Sequence, residues 1–105
     1  MTGVKYLRAR WHHSHPDEPV WLYSELNDDR WEVRKVYIFP DGHSEWADRD
    51  HEVGSTALGL ASVPPLDEIN ADPEFEAEEV SGDEFELVWA EAQAAYEAGT
   101  GRSRS

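Results

Sequence analysis

The sequence predicts an α+β domain: an antiparallel sheet of about four to five strands with one C-terminal amphipathic helix packed on one face. Three features predict it. Residues 5–47 break into short runs rich in aromatic and branched side chains, separated by Pro, Gly, Asn and Asp. Residues 81–96 instead repeat apolar side chains at helical spacing. And 105 residues without cysteine suit one self-standing domain whose core needs no disulfide.

Lys5 to His12 reads as the first strand, free of Gly and Pro. His15-Pro16-Asp17-Glu18-Pro19 is a connection, because two prolines three apart cannot sit inside a ladder. Val20-Trp21-Leu22-Tyr23 is a continuous apolar run, the pattern of a strand covered on both faces. Asn27-Asp28-Asp29 turns the chain into the strand Arg30–Phe39, which is expected to lie centrally in the sheet. Alternation there puts Trp31 and Val33 on one face and Glu32 and Arg34 on the other. Pro40-Asp41-Gly42 is a second turn, and His43 to Ala47 a short fourth strand.

Gly54 to Pro65 carries two Gly and two Pro and is expected to cross a sheet edge. Leu66 to Asn70 forms one helical turn before Asp72-Pro73, and Glu74 to Val80 a strand. Ser81-Gly82-Asp83-Glu84 fits a capping box, with the Ser hydroxyl on a free N–H and the Glu reaching back. Phe85, Val88, Trp89, Ala92 and Tyr96 then share one helical face, which should dock on the sheet. Gly99 is a natural stop. The expected division is a single domain, residues 1–98, and a flexible tail, 99–105.

Twenty-three acids against nine Lys plus Arg give a formal charge of −14, so free nucleic acid and anionic membrane are excluded as direct partners by repulsion. The charge is polarised. Residues 1–50 hold 10 acids and 7 bases, and residues 51–105 hold 13 acids and 2 bases. Apolar residues continue through the acidic half, so it is expected to fold. No apolar run approaches the ~20 residues of a membrane span, and the N-terminus lacks a signal-peptide apolar region, so a cytoplasmic location is expected.

Pro16-Asp17-Glu18-Pro19-Val20 and Leu22-Tyr23-Ser24-Glu25-Leu26 resemble the signature of a small bacterial family, domain of unknown function 6881. So do Glu32-Val33-Arg34-Lys35-Val36, Phe39 with Asp41-Gly42, and Ile69-Asn70-Ala71-Asp72-Pro73-Glu74-Phe75. The resemblance covers the chain except its tail and carries no assigned chemistry. By size and acidity it implies a stand-alone protein of the type of bacterial immunity proteins.

Among functions, a non-catalytic binding module is expected, with no cofactor. Its acidic half would mask a basic partner surface, as an immunity or inhibitor-type protein masks a toxin such as a nuclease. Asp72, Glu74, Glu76 and Glu78 alternate, and on a strand they line one face. With Glu79 they are the candidate partner-binding residues, and Trp46, expected to be exposed on an edge strand, is the candidate anchor. The same row also reads simply as a charged, solvated edge. Arg8, Arg10, Arg30, Arg34 and Lys35 fit cross-strand pairing with Glu25, Glu32 and Glu45 better than a phosphate patch. The alternative is a metal-binding protein or metal-dependent enzyme using His12, His13, His15 and Asp17, since imidazole and carboxylate suit zinc or nickel. Its spacing is poor, because His12 and His13 point to opposite faces of a strand. A catalytic trio could be drawn from Ser24, Asp41 and His43, without a nucleophile elbow to support it. A third possibility is a small-molecule sensor with a pocket between helix and sheet.

Overall fold

The computed structural model describes residues 4–52, 58 and 62–103, with side chains through 95. Five antiparallel strands form one sheet in the order β4-β3-β2-β1-β5. They are β1 (Lys5–Trp11), β2 (Trp21–Leu26), β3 (Glu32–Ile38), β4 (Ser44–Ala47) and β5 (Phe75–Val80). One helical turn, α1 (Leu66–Asn70), precedes β5, and α2 (Gly82–Ser103) follows it. The architecture is the α+β arrangement that the pattern of residues predicts.

β2, not β3, is the central strand, because β5 returns to pair with β1 and adds a strand on that side. Most of the Gly54–Pro65 crossing lies outside the described residues. α2 continues through Gly99, where a stop was expected; one glycine costs about 1 kcal/mol in a helix and need not end it.

The two sheet faces differ. Tyr23, Val36 and Trp46 form the core with Phe85, Trp89 and Ala92 of α2. Phe85 is fully buried against Tyr6, with ring centroids 5.4 Å apart. Arg34 lies over the Phe85 and Trp89 rings, at 4.9 Å from each centroid. It also forks onto Glu86, whose carboxyl this bond holds below its ordinary value, and bonds Glu25 at 2.5 Å. Ser81 caps the helix as its sequence predicts, accepting from the Glu84 N–H at 3.1 Å. The Glu84 carboxylate does not complete the box, because it binds Arg8 at 2.9 Å.

On the other face, β3 bulges opposite Glu25 and Leu26. Glu25 pairs with Arg34 and Leu26 with Glu32, so Val33 is the extra residue. The bulge overturns the simple alternation: Glu32 swings to the face of Lys35 and away from Arg34. Its carboxylate meets the Lys35 ammonium at 2.9 Å, and the two side chains are only 11 % and 7 % exposed.

Candidate functional site

Of the residues put forward as a binding face, the structure moves one inside. Trp46 was expected to be an exposed anchor, but it is 5 % exposed. It pairs with Val36 across the ladder, and its ring meets Trp89 edge-on at 5.1 Å. An edge strand still has one face on the core, and Trp46 points that way. Trp31, on the β2–β3 turn, is the more exposed tryptophan at 43 %.

The acidic row also divides. Glu76 and Glu78 lie on the α2 face, where they meet His12 and Arg8 of the neighbouring strand. Glu79 faces the other way and lies 3.9 Å from Lys5. The basic side chains of β1 therefore offset much of the β5 charge, as cross-strand pairing predicts. Asp72 and Glu74 stand in the turn before the strand. Asp72 accepts the Glu74 N–H at 2.9 Å, and Glu74 accepts from the Trp11 indole at 3.1 Å. Neither has a cationic partner among the described residues, and the same holds for Asp67 and Glu68 of α1. Four of the carboxylates without a cationic partner among the described residues thus sit where α1 packs against β5, at one edge of the sheet; Asp17, Glu18, Asp29, Asp50, Glu52, Asp83 and Glu91 have none either and lie elsewhere.

That corner overhangs a cleft of about 380 Å³ on the sheet face opposite α2. Its floor is Leu7, Ala9, Leu22 and Ala77, and Ile69 and Phe75 close one side. Glu68 and Asp72 stand on its rim, and Ser24, Glu32 and Tyr37 enter from β2 and β3. Lys35 donates to the Tyr37 hydroxyl at 3.0 Å. Burial alone would lower the proton affinity of Lys35, but its bonds to Tyr37 and Glu32 outweigh this and raise it above the ordinary lysine value.

Two residues build the walls. Arg30 has the left-handed φ of 65°; its N–H donates to the Asn27 carbonyl at 2.9 Å within the turn, and its carbonyl accepts the Val63 N–H at 2.7 Å. From there its Nε and Nη2 donate to the carbonyls of Val63 and Pro64, each at 2.8 Å, and so hold those wall residues in place. On the far side, Asn70 donates to the Ala77 carbonyl at 2.9 Å and accepts the Ala77 N–H at 2.6 Å. This pair of bonds fixes α1 to β5 and covers the middle of an otherwise open sheet edge. Neither role was legible beforehand, because both contacts join residues remote in space until the chain folds. Three segments that carry the family resemblance meet at this cleft: Leu22 with Ser24, Glu32 with Lys35, and Ile69 through Phe75.

The histidine cluster does not converge. His12 turns to Glu76. His13 bonds the Pro19 carbonyl through Nε2 at 2.8 Å and accepts the His15 N–H at Nδ1, at 2.9 Å, so both ring nitrogens are engaged. Among the described residues no three His, Asp or Glu side chains gather as a metal would require, and Asp17 joins none of these histidines. The trio of Ser24, Asp41 and His43 is not assembled either. Asp41 and His43 do pair, in the β3–β4 turn. Ser24 stands in register with Lys35, four residues along the strand from Phe39, to which His43 bonds. That separation is roughly 13 Å.

Among the described residues no helix is long and apolar enough to cross a membrane. A family model described as a domain of unknown function (DUF6881) matches residues 5–94. No curated protein and no solved structure matches the chain.

Proposed function

The chain belongs to the family of domains of unknown function 6881, and from the geometry of its β5–α1 corner we propose that it is a non-catalytic binding module for a basic protein surface. The observation that carries this reading is the gathering of four carboxylates without cationic partners among the described residues at one corner, Glu68 and Asp72 on the rim of an apolar cleft and Asp67 and Glu74 in α1 and the turn beside them. Uncompensated negative charge at a surface edge steers a cationic partner into encounter. A preformed apolar recess beside it supplies what charge alone does not, a desolvated seat for an anchoring side chain that slows release. Masking the positively charged active cleft of a partner, in the manner of an immunity or inhibitor protein, is the use that this combination suits best. A nuclease presents such a cleft, since it must itself attract phosphates.

The test is direct. Each product of the genes flanking this one is purified and titrated with the chain by calorimetry at low and high salt. One with a basic surface should bind, and more weakly as salt rises. Replacing Asp67 and Asp72 by Asn and Glu68 and Glu74 by Gln removes four charges and keeps the acceptors that shape the turn. Affinity should fall about tenfold or more if each charge contributes a few tenths to one kcal/mol. The proposal is overturned if none of these products binds. It is equally overturned if one binds with no response to salt or to the fourfold substitution.

A further inference from the structure

The opposite face of the sheet holds a second recess, where β1 ends, β2 begins and β3 ends. Arg10, Trp21 and Ile38 lie side by side there in the ladder. A pocket of about 550 Å³ opens between them and the chain at Ser14 and His15, with Phe39 and Pro40 along one wall. The guanidinium of Arg10 lies over the Trp21 ring at 5.1 Å from its centroid.

Arg10 is anomalous among the strand cations. Lys5 and Arg8 of β1, and Arg34 and Lys35 of β3, each hold a carboxylate. Arg10 holds none among the described residues, and its Nε, like that of Arg8, is buried without a hydrogen-bond partner. Its cross-strand neighbour Glu76 turns instead to His12. In a chain of charge −14, carboxylates are abundant, and Glu76 and Glu78 stand nearby, yet among the described residues none pairs with this arginine. The guanidinium therefore reaches the pocket with donors that no carboxylate of the described residues occupies.

We propose that this pocket binds an aromatic monocarboxylate, its carboxylate on the Arg10 fork and its ring against the wall that Trp21 and Phe39 provide. The planar guanidinium matches a carboxylate through two parallel bonds. The aromatic wall favours a flat apolar body. Glu76 and Glu78 stand close on the other side of Arg10, so a single negative charge is tolerated better than the double charge of a phosphate. This site is separate from the β5–α1 corner and does not depend on the partner proposed for it.

The experiment is an NMR titration of the full chain with benzoate, followed at the Trp21 indole N–H and the Arg10 Nε–H. Benzyl alcohol and inorganic phosphate are the comparison ligands. Benzoate should give saturable shifts at both groups, and each comparison ligand should bind about tenfold more weakly or worse. Arg10→Gln should weaken benzoate by a similar factor. Arg10→Lys keeps the charge and the stem, so it reads the fork even if the Gln variant does not fold, and it too should lose affinity. The proposal fails if benzoate gives no saturable shift at Trp21, if benzyl alcohol or phosphate equals it, or if the Lys variant binds it as well as the wild-type chain does.

Discussion

Removing either member of the Glu32–Lys35 pair should be far more damaging than removing both. The two side chains are 11 % and 7 % exposed and meet at 2.9 Å, so each charge is kept inside the fold by the other. Lys35→Met leaves the Glu32 carboxylate without its cation. Glu32→Leu leaves a largely buried ammonium that keeps its bond to the Tyr37 hydroxyl but loses the carboxylate beside it. Breaking a buried pair this way costs about 3–5 kcal/mol. The lower figure applies, because the cleft beside Glu32 lets water approach it. For a domain of this size about 3 kcal/mol corresponds to a fall in Tm of roughly 12–24 °C. In the double variant the desolvation cost disappears with the charges, and leucine and methionine extend the apolar floor. Its stability should lie within about 1 kcal/mol of wild type. Urea unfolding of the four proteins measures the cycle. If the double variant lost the sum of the single losses, the two residues would be acting independently, and the bulge at Val33 could not be credited with bringing them together.

The same pair predicts an alkaline response. The folded-state pKa of Lys35 is raised, so its contribution is complete below the unfolded value of about 10.4 and is lost as pH climbs through the higher folded value. Thermal melts should show a loss of Tm above pH 10 that Lys35→Met/Glu32→Leu abolishes. Asn70→Ala removes both bonds to Ala77 and should cost about 1–2 kcal/mol; because it also uncovers the β5 edge, light scattering should detect self-association that rises with concentration. Phe85→Ala empties a fully buried site between Tyr6 and Trp89 and should cost about 3–5 kcal/mol in chemical denaturation, leaving little margin for folding at 37 °C.

Local chemistry made much of this fold legible. Prolines 16 and 19 and the Asp41-Gly42 pair mark connections in any context, and Gly42 does adopt the left-handed φ of 91° that the turn demands. The 85-88-89-92 spacing reads the same in an isolated helix as in the folded chain. What depends on pairing between distant strands was not legible. Trp46 looked like a surface residue because its strand is short, and only the partner strand and α2 reveal that it faces inward. Glu32 followed the alternation rule in sequence and broke it in structure, since a bulge is a property of two strands together. The acids of β5 looked uncompensated because no cation lies near them in sequence; Lys5 and Arg8 arrive from more than sixty residues away. The candidate site shifted accordingly, from the strand itself to the turn and α1 beside it. That displacement follows from where β1 placed its cations.

The most direct test of the binding reading is kinetic. Association of the chain with the basic protein that the proposal requires, found by the calorimetric titrations, is followed by stopped flow across a range of ionic strength, beside the Asp67→Asn/Glu68→Gln/Asp72→Asn/Glu74→Gln variant. If the β5–α1 corner steers the encounter, the wild-type association rate falls steeply with salt and the variant starts near the high-salt plateau, while the dissociation rates of the two stay close. Equal association rates for the two proteins at every ionic strength would contradict the account.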